Sequence, residues 1–422
     1  MPITLGCIAD DFTGATDLAN MLVKGGLKTI QLLGIPNQKD VDPSVEAVVI
    51  ALKTRTIPVR EAVSQSLQAL SWLKAVGTER FFFKYCSTFD STDEGNIGPV
   101  IDAFMADLEA SFTIACPAFP ETGRTIFKGH LFVGDKLLSD SPMRNHPLTP
   151  MTDSNLVSIL SRQSSLKVGL VQYQDVSGGA PKIKGAFNEL KREGVSIAVT
   201  DVLNDEHLHF LGEAVKEFKL ITGGSGIALG LPYHWKSGNG SKEGMTADQL
   251  PEVSGKELVL SGSCSEMTRA QVDEFSKNNR ALKLNPIELA KDASALNKAI
   301  DWVIKAEIGR PILVYASAPP ATVKEIQQTL GQDLASSTVE NAMAKIASEA
   351  VKNGFRRIVV AGGETSGAVV SKLGINSILI GKEIDPGVPA TVSVGTPIIS
   401  LVLKSGNFGS VDFFEKAFKQ MP

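Results

Sequence analysis

Two adjacent carboxylates follow the first apolar run of the chain. Asp10 and Asp11 come directly after residues 3–9, and the residues that follow them have helical spacing of apolar positions. Ligands of open α/β sheets bind beyond the carboxyl ends of strands, where loops turn into helices. One of the two acids could simply cap the helix. Capping does not explain a pair of like charges, so the pair predicts a catalytic or binding site.

Two further strand ends carry cations, hydroxyls and another acid. Arg55 follows the predicted strand at 45–52, and Lys84 lies in the predicted strand at 80–86. Asp90 stands among hydroxyl residues just beyond it, in a stretch that could also be an ordinary polar loop. Carboxylates accept hydrogen bonds from sugar hydroxyls, whereas Arg and Lys bind carboxylate groups. Together these residue types suit a polyol that carries a carboxylate, and polar stretches at 122–124 and 140–147 are additional candidates.

The second half of the chain has a different set of strand ends, rich in glycine and hydroxyl groups. The three stretches are SGSCS at 261–265, GGETSG at 362–367 and KSGNFG at 404–409. Glycine lets the backbone approach a phosphate closely, and the N-terminus of a following helix offers unpaired N–H groups to it. Any one stretch could be a plain turn. Three of them in one half of the chain predict a nucleotide site.

The elements that must position these residues alternate between strand and helix, which is typical of parallel sheets covered on both faces. We therefore predict an α/β fold made of two α/β domains with mainly parallel sheets and an active site in the cleft between them. The predicted domains are residues 1–235 and 255–422, joined by a polar, glycine-rich linker at 236–254. The predicted strands are 3–9, 45–52, 80–86, 112–116, 167–171, 195–200, 219–222, 257–260, 311–316, 356–361, 377–380 and 398–403. The predicted helices are 16–24, 59–76, 268–278, 293–305, 321–330, 338–352 and 366–373.

Composition narrows the class of protein. A length of 422 residues exceeds what one hydrophobic core usually supports. The net charge of −4 provides no overall basic field for nucleic acid or an anionic membrane surface. No apolar stretch is long enough for a membrane span, and the start of the chain lacks the basic region of a signal peptide. Four cysteines without a CxxC pair are typical of reduced thiols. We therefore expect a cytoplasmic protein that binds neither nucleic acid nor membrane.

Eight stretches of the sequence, in order, resemble the four-carbon acid sugar kinases. They are IADDFTGATDLA, FKYCSTFDST, GRTIFKGHLFVGD, NHPLTPMTDSNL, LSGSCSEMT, AGGETSGAVV, IGKEIDPGVP and LKSGNFG. The resemblance covers essentially the whole chain. It implies an acid-sugar-binding N-terminal domain and a nucleotide-binding C-terminal domain. It also implies ATP as phosphoryl donor, the 4-hydroxyl of an acid sugar as acceptor, and 3-oxo-tetronate as the expected acid sugar.

The resemblance also implies which residues contact each ligand. The implied ATP contacts are Ser263, Gly362, Gly363, Glu364, Thr365 and Gly406. The implied acid-sugar contacts are Asp10, Asp11, Arg55, Lys84 and Asp90.

Phosphoryl transfer needs positioning, charge neutralisation and a group that takes the hydroxyl proton. We expect Asp11 to be that base, with Asp10 as the second candidate. Mg²⁺ is expected with ATP, and Glu364 could contact it directly or through water. The alternatives are a kinase for threonate, erythronate or another small sugar acid and, more distantly, a sugar-acid-binding protein without catalysis. A homo-oligomer is compatible with the sequence.

Overall fold

The computed structural model describes residues 3–37, 41–146, 149–232, 235 and 247–422. The chain divides into two compact units, Met1–Asp248 and Gln249–Pro422. The boundary falls within the predicted linker, of which residues 236–246 lie outside the described residues. Residue 147 of the predicted loop at 140–147 lies outside them too. Both units are mainly parallel α/β structures, as the sequence predicted. Within the described ranges, no helix combines the length and apolarity needed to cross a membrane.

The N-terminal unit is built on one parallel sheet with the strand order β2-β3-β1-β4-β11-β5-β10-β9. A separate antiparallel sheet of β6, β7 and β8 joins this unit. The strands of the N-terminal unit are β1 Leu5–Ala9, β2 Thr29–Leu33, β3 Ala47–Ala51, β4 Phe81–Lys84, β5 Thr113–Cys116, β6 Arg124–Phe127, β7 His130–Val133, β8 Lys136–Leu137, β9 Val168–Val171, β10 Ile197–Thr200 and β11 Leu220–Gly223. Its helices are α1 Phe12–Lys24, α2 Val59–Ala75, α3 Ile97–Asp107, α4 Leu156–Gln163, α5 Tyr173–Val176, α6 Ala180–Arg192 and α7 Asp205–Val215.

Burial and register together place three strand ends side by side in this unit. Every residue of β1 and β3 is buried, because helices cover both faces of a parallel sheet. Ala9 pairs with Ala51 of β3 on one side and with Lys84 of β4 on the other. The carboxyl ends of the three strands therefore lie at one level. The loops that follow them, which carry the predicted acid-sugar residues, begin next to one another.

The C-terminal unit has a second sheet with the order β13-β14-β12-β15-β18-β17-β16. The pairs from β13 to β18 are parallel, and β17 is antiparallel to both of its neighbours. Its strands are β12 Lys256–Ser261, β13 Arg280–Lys283, β14 Ile312–Tyr315, β15 Phe355–Ala361, β16 Ser377–Asp385, β17 Val388–Ser393 and β18 Ser400–Lys404. Its helices are α8 Glu266–Ser276, α9 Pro286–Lys291, α10 Ala293–Ile304, α11 Pro320–Leu330, α12 Gln332–Lys352, α13 Gly363–Lys372 and α14 Phe413–Gln420.

Register again aligns the predicted site loops of this unit. Ser261 pairs with Ala361, and Ala361 pairs with Lys404, so β12, β15 and β18 end side by side. The helix predicted at 366–373 is present, but its predicted start is wrong, because α13 already begins at Gly363. Gly362 makes this abrupt start possible, since it adopts φ 125° and ψ 129°, a conformation open only to glycine.

Several other predicted boundaries were wrong, and some elements were missed. Helix α12 starts at residue 332 rather than 338, and β16 extends beyond 380 to form a hairpin with β17. The sequence analysis did not predict β2, β13, β17, the antiparallel sheet of β6–β8, or the helices α3–α7, α9 and α14. Tertiary pairing decides the short strands among these elements, because their own periodicity is too brief to distinguish a strand from a loop.

Close backbone packing in the N-terminal unit can be tested at one helical glycine. A Cβ atom on Gly212 of α7 would lie 2.3 Å from the carbonyl oxygen of Gly230, which cannot move independently of its chain. We expect Gly212→Ala to destabilise the protein by roughly 1–3 kcal/mol because this contact is overpacked. Gly185→Ala in α6 is the matched control, since nothing lies within 4 Å of its added Cβ. The control should stabilise the protein by roughly 0.5–1 kcal/mol. Chemical denaturation of both variants measures the difference, and equal stabilities would contradict the close packing.

Candidate functional site

One guanidinium joins three carboxylates at the aligned strand ends of the N-terminal unit. Arg55 donates from Nε and Nη2 to the two carboxylate oxygens of Asp10, with both distances 2.9 Å. Its Nη2 also donates to Asp11 at 2.6 Å, and its Nη1 lies 3.5 Å from the carboxylate of Asp90. The structure therefore brings together four of the five residues implied to bind the acid sugar. Paired guanidinium and carboxylate groups of this kind hold their geometry because the hydrogen bonds are charge-assisted and bidentate.

The two adjacent acids have different environments and different acidities. Burial raises the pKa of Asp10, and although Arg55 opposes that rise, the charge of Asp11 adds to it. Burial acts in the same direction on Asp11, but there the charges of Arg55 and Lys84 outweigh it. Hydrogen bonds from Thr13 and Gly14 add to this effect, so the pKa of Asp11 is lowered. Paired groups whose environments push their pKa values apart are a recurring feature of acid–base sites.

Asp11 caps helix α1 as well as bonding to Arg55. It is the N-cap of α1, where its carboxylate accepts from the backbone N–H of Gly14 at 3.2 Å and from the hydroxyl of Thr13 at 2.7 Å. Capping was the plain interpretation of this residue from sequence. The structure combines it with the Arg55 contact, so capping does not exclude a role in binding. The side chain of Asp11 is 25% exposed and that of Asp10 is 6% exposed, so Asp11 is the more accessible of the pair.

Lys84, the fifth implied residue, donates its hydrogen bond to a group outside this cluster. Its ammonium is buried and donates to the carbonyl of Tyr85 at 2.7 Å. Its charge acts on both Asp10 and Asp11, which places it close to the pair without a direct ion pair among the described contacts.

Asn96 holds the loop that carries Arg55, and the sequence analysis did not identify it. Its buried amide donates to the carbonyls of Thr54, Arg55 and Ile57 at 2.7, 3.3 and 2.9 Å. A single side chain therefore holds this loop at three positions. The only signal in the sequence was an asparagine just before an apolar helical run, which is also typical of a simple helix cap.

The other polar stretches of the N-terminal unit bond locally. Arg124 donates to the carbonyl of Thr122, and Arg144 donates to the carbonyl of Ser139 at 3.2 Å. In the described part of the chain, no hydrogen bond or ion pair links either arginine to the Arg55 cluster. A role for the stretches at 122–124 and 140–147 in ligand binding stays a prediction.

A cavity of about 290 Å³ lies at the aligned strand ends of the C-terminal unit. All six residues implied to contact ATP line it. They are Ser263, Gly362, Gly363, Glu364, Thr365 and Gly406. The three loops were identified as separate strand ends in the sequence. The fold joins them, because β12, β15 and β18 are neighbours in the sheet.

The loops approach one another closely at two glycines, where an added Cβ would force a neighbouring hydroxyl to move. A Cβ atom on Gly406 would lie 2.6 Å from Oγ of Ser263, and one on Gly262 would lie 2.1 Å from Oγ1 of Thr365. The N-terminus of α13 opens into the same space, since Gly363 is its first residue. Close backbone, hydroxyl groups and a helix N-terminus are the features that bind phosphate groups in proteins.

Two helices contribute an apolar part of the cavity wall, beside the polar residues Gln327, Ser336 and Glu340 of the same helices. Val323 and Ile326 belong to α11, and Ala335 and Val339 belong to α12. The sequence analysis missed these residues because apolar positions on amphipathic helices normally indicate core packing. An apolar wall next to a phosphate-type cradle suits the planar base of a nucleotide.

Two family models match the chain, one over each of the two units that carry a candidate site. Residues 5–231 match the family model of a sugar-binding N-terminal domain. Residues 258–414 match that of a nucleotide-binding C-terminal domain. The chain therefore belongs to the family that joins these two domains.

Individual proteins agree with this assignment. The chain is 51% identical over 417 residues to a 3-oxo-tetronate kinase of Burkholderia multivorans, covering 99% of this chain and 97% of the relative. It is 52% identical over 419 residues to a 3-oxo-tetronate kinase of Pseudomonas savastanoi, with the same coverage. The resemblance to the four-carbon acid sugar kinases is confirmed.

Solved structures share the fold over the whole chain. A Haemophilus influenzae protein of the DUF1537 family is 45% identical, with a TM-score of 0.86, covering 99% of this chain and 100% of its own. A Salmonella typhimurium LT2 protein, provisionally described as a tRNA synthase, is 41% identical, with a TM-score of 0.93 and full coverage of both chains.

Arg55 can be tested as the neutralising charge of the cluster. Arg55→Met leaves carboxylates in a largely buried site without their counter-charge, which should cost roughly 3–5 kcal/mol of stability near pH 7. Losing the guanidinium raises the pKa of Asp10 and Asp11 in the folded state, so they bind protons more readily than in the unfolded chain. Stability of the variant relative to wild type should therefore recover as the pH falls towards about 5.

Arg162→Met is the matched control for this change. Arg162 also bonds two carboxylates, those of Asp93 and Asp153, but its side chain is 38% exposed. Its loss should cost about 0–1 kcal/mol with little recovery at low pH. Denaturant titrations at several pH values measure both variants. Equal costs for the two arginines would mean that the Arg55 cluster has no special electrostatic importance.

Proposed function

We propose that this chain is an ATP-dependent kinase that phosphorylates the 4-hydroxyl of 3-oxo-tetronate, giving 3-oxo-tetronate 4-phosphate in the breakdown of acid sugars. The identity of about one half, over nearly the full length, to proteins named 3-oxo-tetronate kinase carries this proposal. The chemistry of the two sites supports it, since one is rich in carboxylates and cations and the other combines a phosphate-type cradle with an apolar wall.

The acid sugar is proposed to bind at the Arg55 cluster. Asp10, Asp11 and Asp90 supply acceptors for its hydroxyl groups, and Arg55 and Lys84 supply the positive charge that its carboxylate needs. A ligand of this kind would be held by groups that are already oriented, because Arg55 is fixed by its carboxylate partners and by Asn96.

Asp11 is the proposed acceptor of the hydroxyl proton. It is the more exposed acid of the pair, and a base must reach the substrate hydroxyl to act on it. Asp10 is the stronger base by environment, but both of its oxygens are bonded to Arg55. Asp10 is therefore proposed to orient Arg55 and the substrate, with the proton-accepting role as its alternative.

ATP is proposed to bind in the cavity of the C-terminal unit, with its phosphates at Ser263, Gly362, Gly363, Thr365 and Gly406. Mg²⁺ usually keeps several waters and binds through phosphates plus one or two carboxylates. Glu364 lines the cavity at the start of α13 and is the proposed contact, directly or through water. The described residues contain no cluster of three or more acidic, His or Cys groups that could hold a metal alone, which suits an ion carried by the nucleotide. Bound there, Mg²⁺ would neutralise charge on the transferred phosphoryl group.

A panel of acceptors tests the overall reaction. ADP release from ATP should be fastest with 3-oxo-tetronate, and ³¹P NMR of the product should show the phosphate on the 4-hydroxyl. Higher kcat/KM with threonate or erythronate would keep the kinase but change its substrate. No ADP release with any acid sugar, from protein that binds them, would favour a non-catalytic sugar-acid-binding protein.

The base is tested by Asp11→Asn, with Asp10→Asn beside it. Asn keeps the shape and most of the capping capacity of Asp11, so the melting temperature should change little. Removing a positioned base should lower kcat by about 10²- to 10⁴-fold. Measurements of kcat use saturating ATP and acid sugar. If Asp11→Asn keeps over half of the activity while Asp10→Asn loses it, the role of base passes to Asp10.

Gly406→Ala tests the nucleotide cradle. The added Cβ would lie 2.6 Å from Oγ of Ser263 and 3.0 Å from Oγ of Ser265, in the space proposed for phosphate. We expect the KM for ATP to rise at least about tenfold, or about 1.4 kcal/mol, while the KM for the acid sugar stays within about twofold. Gly185→Ala, far from any contact, should leave both constants unchanged. Equal increases in both KM values, with an intact fold, would point to a packing role for Gly406.

A further inference from the structure

A buried lysine is bonded to the Gly406 loop, one of the three loops that line the cavity of the C-terminal unit. Lys404 is the last residue of β18 and is 1% exposed. Its ammonium donates to Oγ1 of Thr268 at 3.1 Å and to the carbonyl of Gly406 at 3.0 Å. Thr268 Oγ1 in turn donates to the same Gly406 carbonyl at 2.7 Å. Three groups thus form a closed set of hydrogen bonds at the base of the loop that carries Gly406.

The backbone of Lys404 reaches a second loop of the cradle. Its carbonyl accepts from the N–H of Gly362 at 2.9 Å. Thr268 belongs to the first turn of α8, whose N-cap Ser265 accepts from the Thr268 N–H at 3.2 Å. Lys404 therefore connects the three loops that line the cavity, those at the ends of β12, β15 and β18.

Both groups that accept hydrogen bonds from the ammonium of Lys404 are neutral. Among the described residues, its ammonium forms no ion pair with the charged groups on the surrounding elements, whereas the more exposed Lys416 of α14 pairs with the carboxylate of Asp385. Burial lowers the pKa of Lys404 to about 8, and no nearby charge opposes that shift. The charged residues on the elements around it are Glu266, Arg269, Asp273 and Glu274 of α8, Arg356 and Arg357 of β15, and Glu364 and Lys372 of α13.

A buried ammonium without an anion is costly, because burial removes its hydration and neutral acceptors replace only part of it. An anionic ligand next to such a group supplies the missing opposite charge and favours the protonated form. The space beside Gly406, Gly362 and Ser263 is where the phosphates of a nucleotide are proposed to bind.

We propose that Lys404 is a positioning residue of the nucleotide site, which holds the Gly406 loop in place and supplies the buried positive charge that the bound phosphates require. This inference rests on the proposed function, in which ATP occupies this cavity. A purely structural lysine would hold the loop but would not respond to the charge of the ligand. The two roles differ in their dependence on pH.

The affinity for ADP should fall as the pH rises, because burial lowers the pKa of Lys404 and the side chain becomes neutral within the tested range. The ammonium loses its proton as the pH rises through about 8. A bound nucleotide favours the charged form, so binding above that pH should take up a proton and become weaker. The terminal phosphate of ADP titrates near pH 6 and stays ionised throughout this range. Affinity of the intact protein for ADP should fall about tenfold between about pH 7 and pH 9.

The experiment is calorimetric titration of the full-length protein with ADP at about pH 7 and pH 9, in buffers of different ionisation enthalpy. Lys404→Met removes the charge and both hydrogen bonds, and should weaken ADP binding about 10- to 100-fold at pH 7. The remaining affinity should be nearly independent of pH, without proton uptake. In steady-state assays, the KM for ATP should rise and the KM for the acid sugar should stay within about twofold.

Two control variants accompany this change. Lys372→Met removes an exposed lysine at the far end of α13 and should behave as wild type. Cys264→Ser removes the thiol that lines the same cavity, and it should keep the pH dependence whatever its affinity. A thermal melt of each variant reports on folding.

The outcomes separate the inference from the function on which it rests. Failure of the wild type to bind ADP would remove the proposed nucleotide site itself. If wild type binds ADP and Lys404→Met binds it equally well, or weakly but with the wild-type pH dependence, Lys404 has no electrostatic role and the proposal is overturned. If Lys404→Met does not fold, the proposal is tested by the pH dependence of the wild type. Unchanged affinity for ADP between pH 7 and 9, without proton uptake, would then overturn it.

Discussion

The register of the parallel strands is the constraint on which both sites depend. Parallel strands that end at one level release their loops side by side, and residues far apart in sequence then meet at one edge. In the N-terminal unit, β3, β1 and β4 end together, so Arg55 can bond Asp10 and Asp11 from a neighbouring loop. In the C-terminal unit, the same arrangement of β12, β15 and β18 joins three short loops into one cavity. A slip of register in either sheet would separate these groups.

The two candidate sites differ in which charge is in excess, with carboxylates in excess at the first and a cation that has no anion among the described residues at the second. The N-terminal cluster contains more carboxylates than cations, and Arg55 keeps the acids close together despite their repulsion. The C-terminal cavity has the reverse arrangement at Lys404, a buried cation with neutral partners. The proposed nucleotide would bring phosphates towards this cation. The proposed acid sugar would instead add a carboxylate to a cluster in which Arg55 and Lys84 already act on other acids.

Residues other than the groups proposed to touch ligands hold the loops of both candidate sites in place. Asn96 bonds three carbonyls of the Arg55 loop, and Thr268 bonds the carbonyl of Gly406. Neither residue belongs to the sets that the family resemblance implies. Preorganised groups of this kind reduce the reorganisation that a ligand must induce, which is how positioning contributes to phosphoryl transfer.

The sequence alone predicts the α/β class, the acid-sugar kinase family and the loops that form each candidate site. It could do so because the strand ends have unusual local composition, such as the adjacent acids at 10–11 and the glycines at 362–363. The fold was needed to show which loops are neighbours, since strand order is not encoded in local periodicity. It also revealed the three carbonyls held by Asn96, the neutral surroundings of Lys404 and the apolar wall from α11 and α12. These features depend on contacts between residues distant in sequence, and a single residue type gives no sign of them.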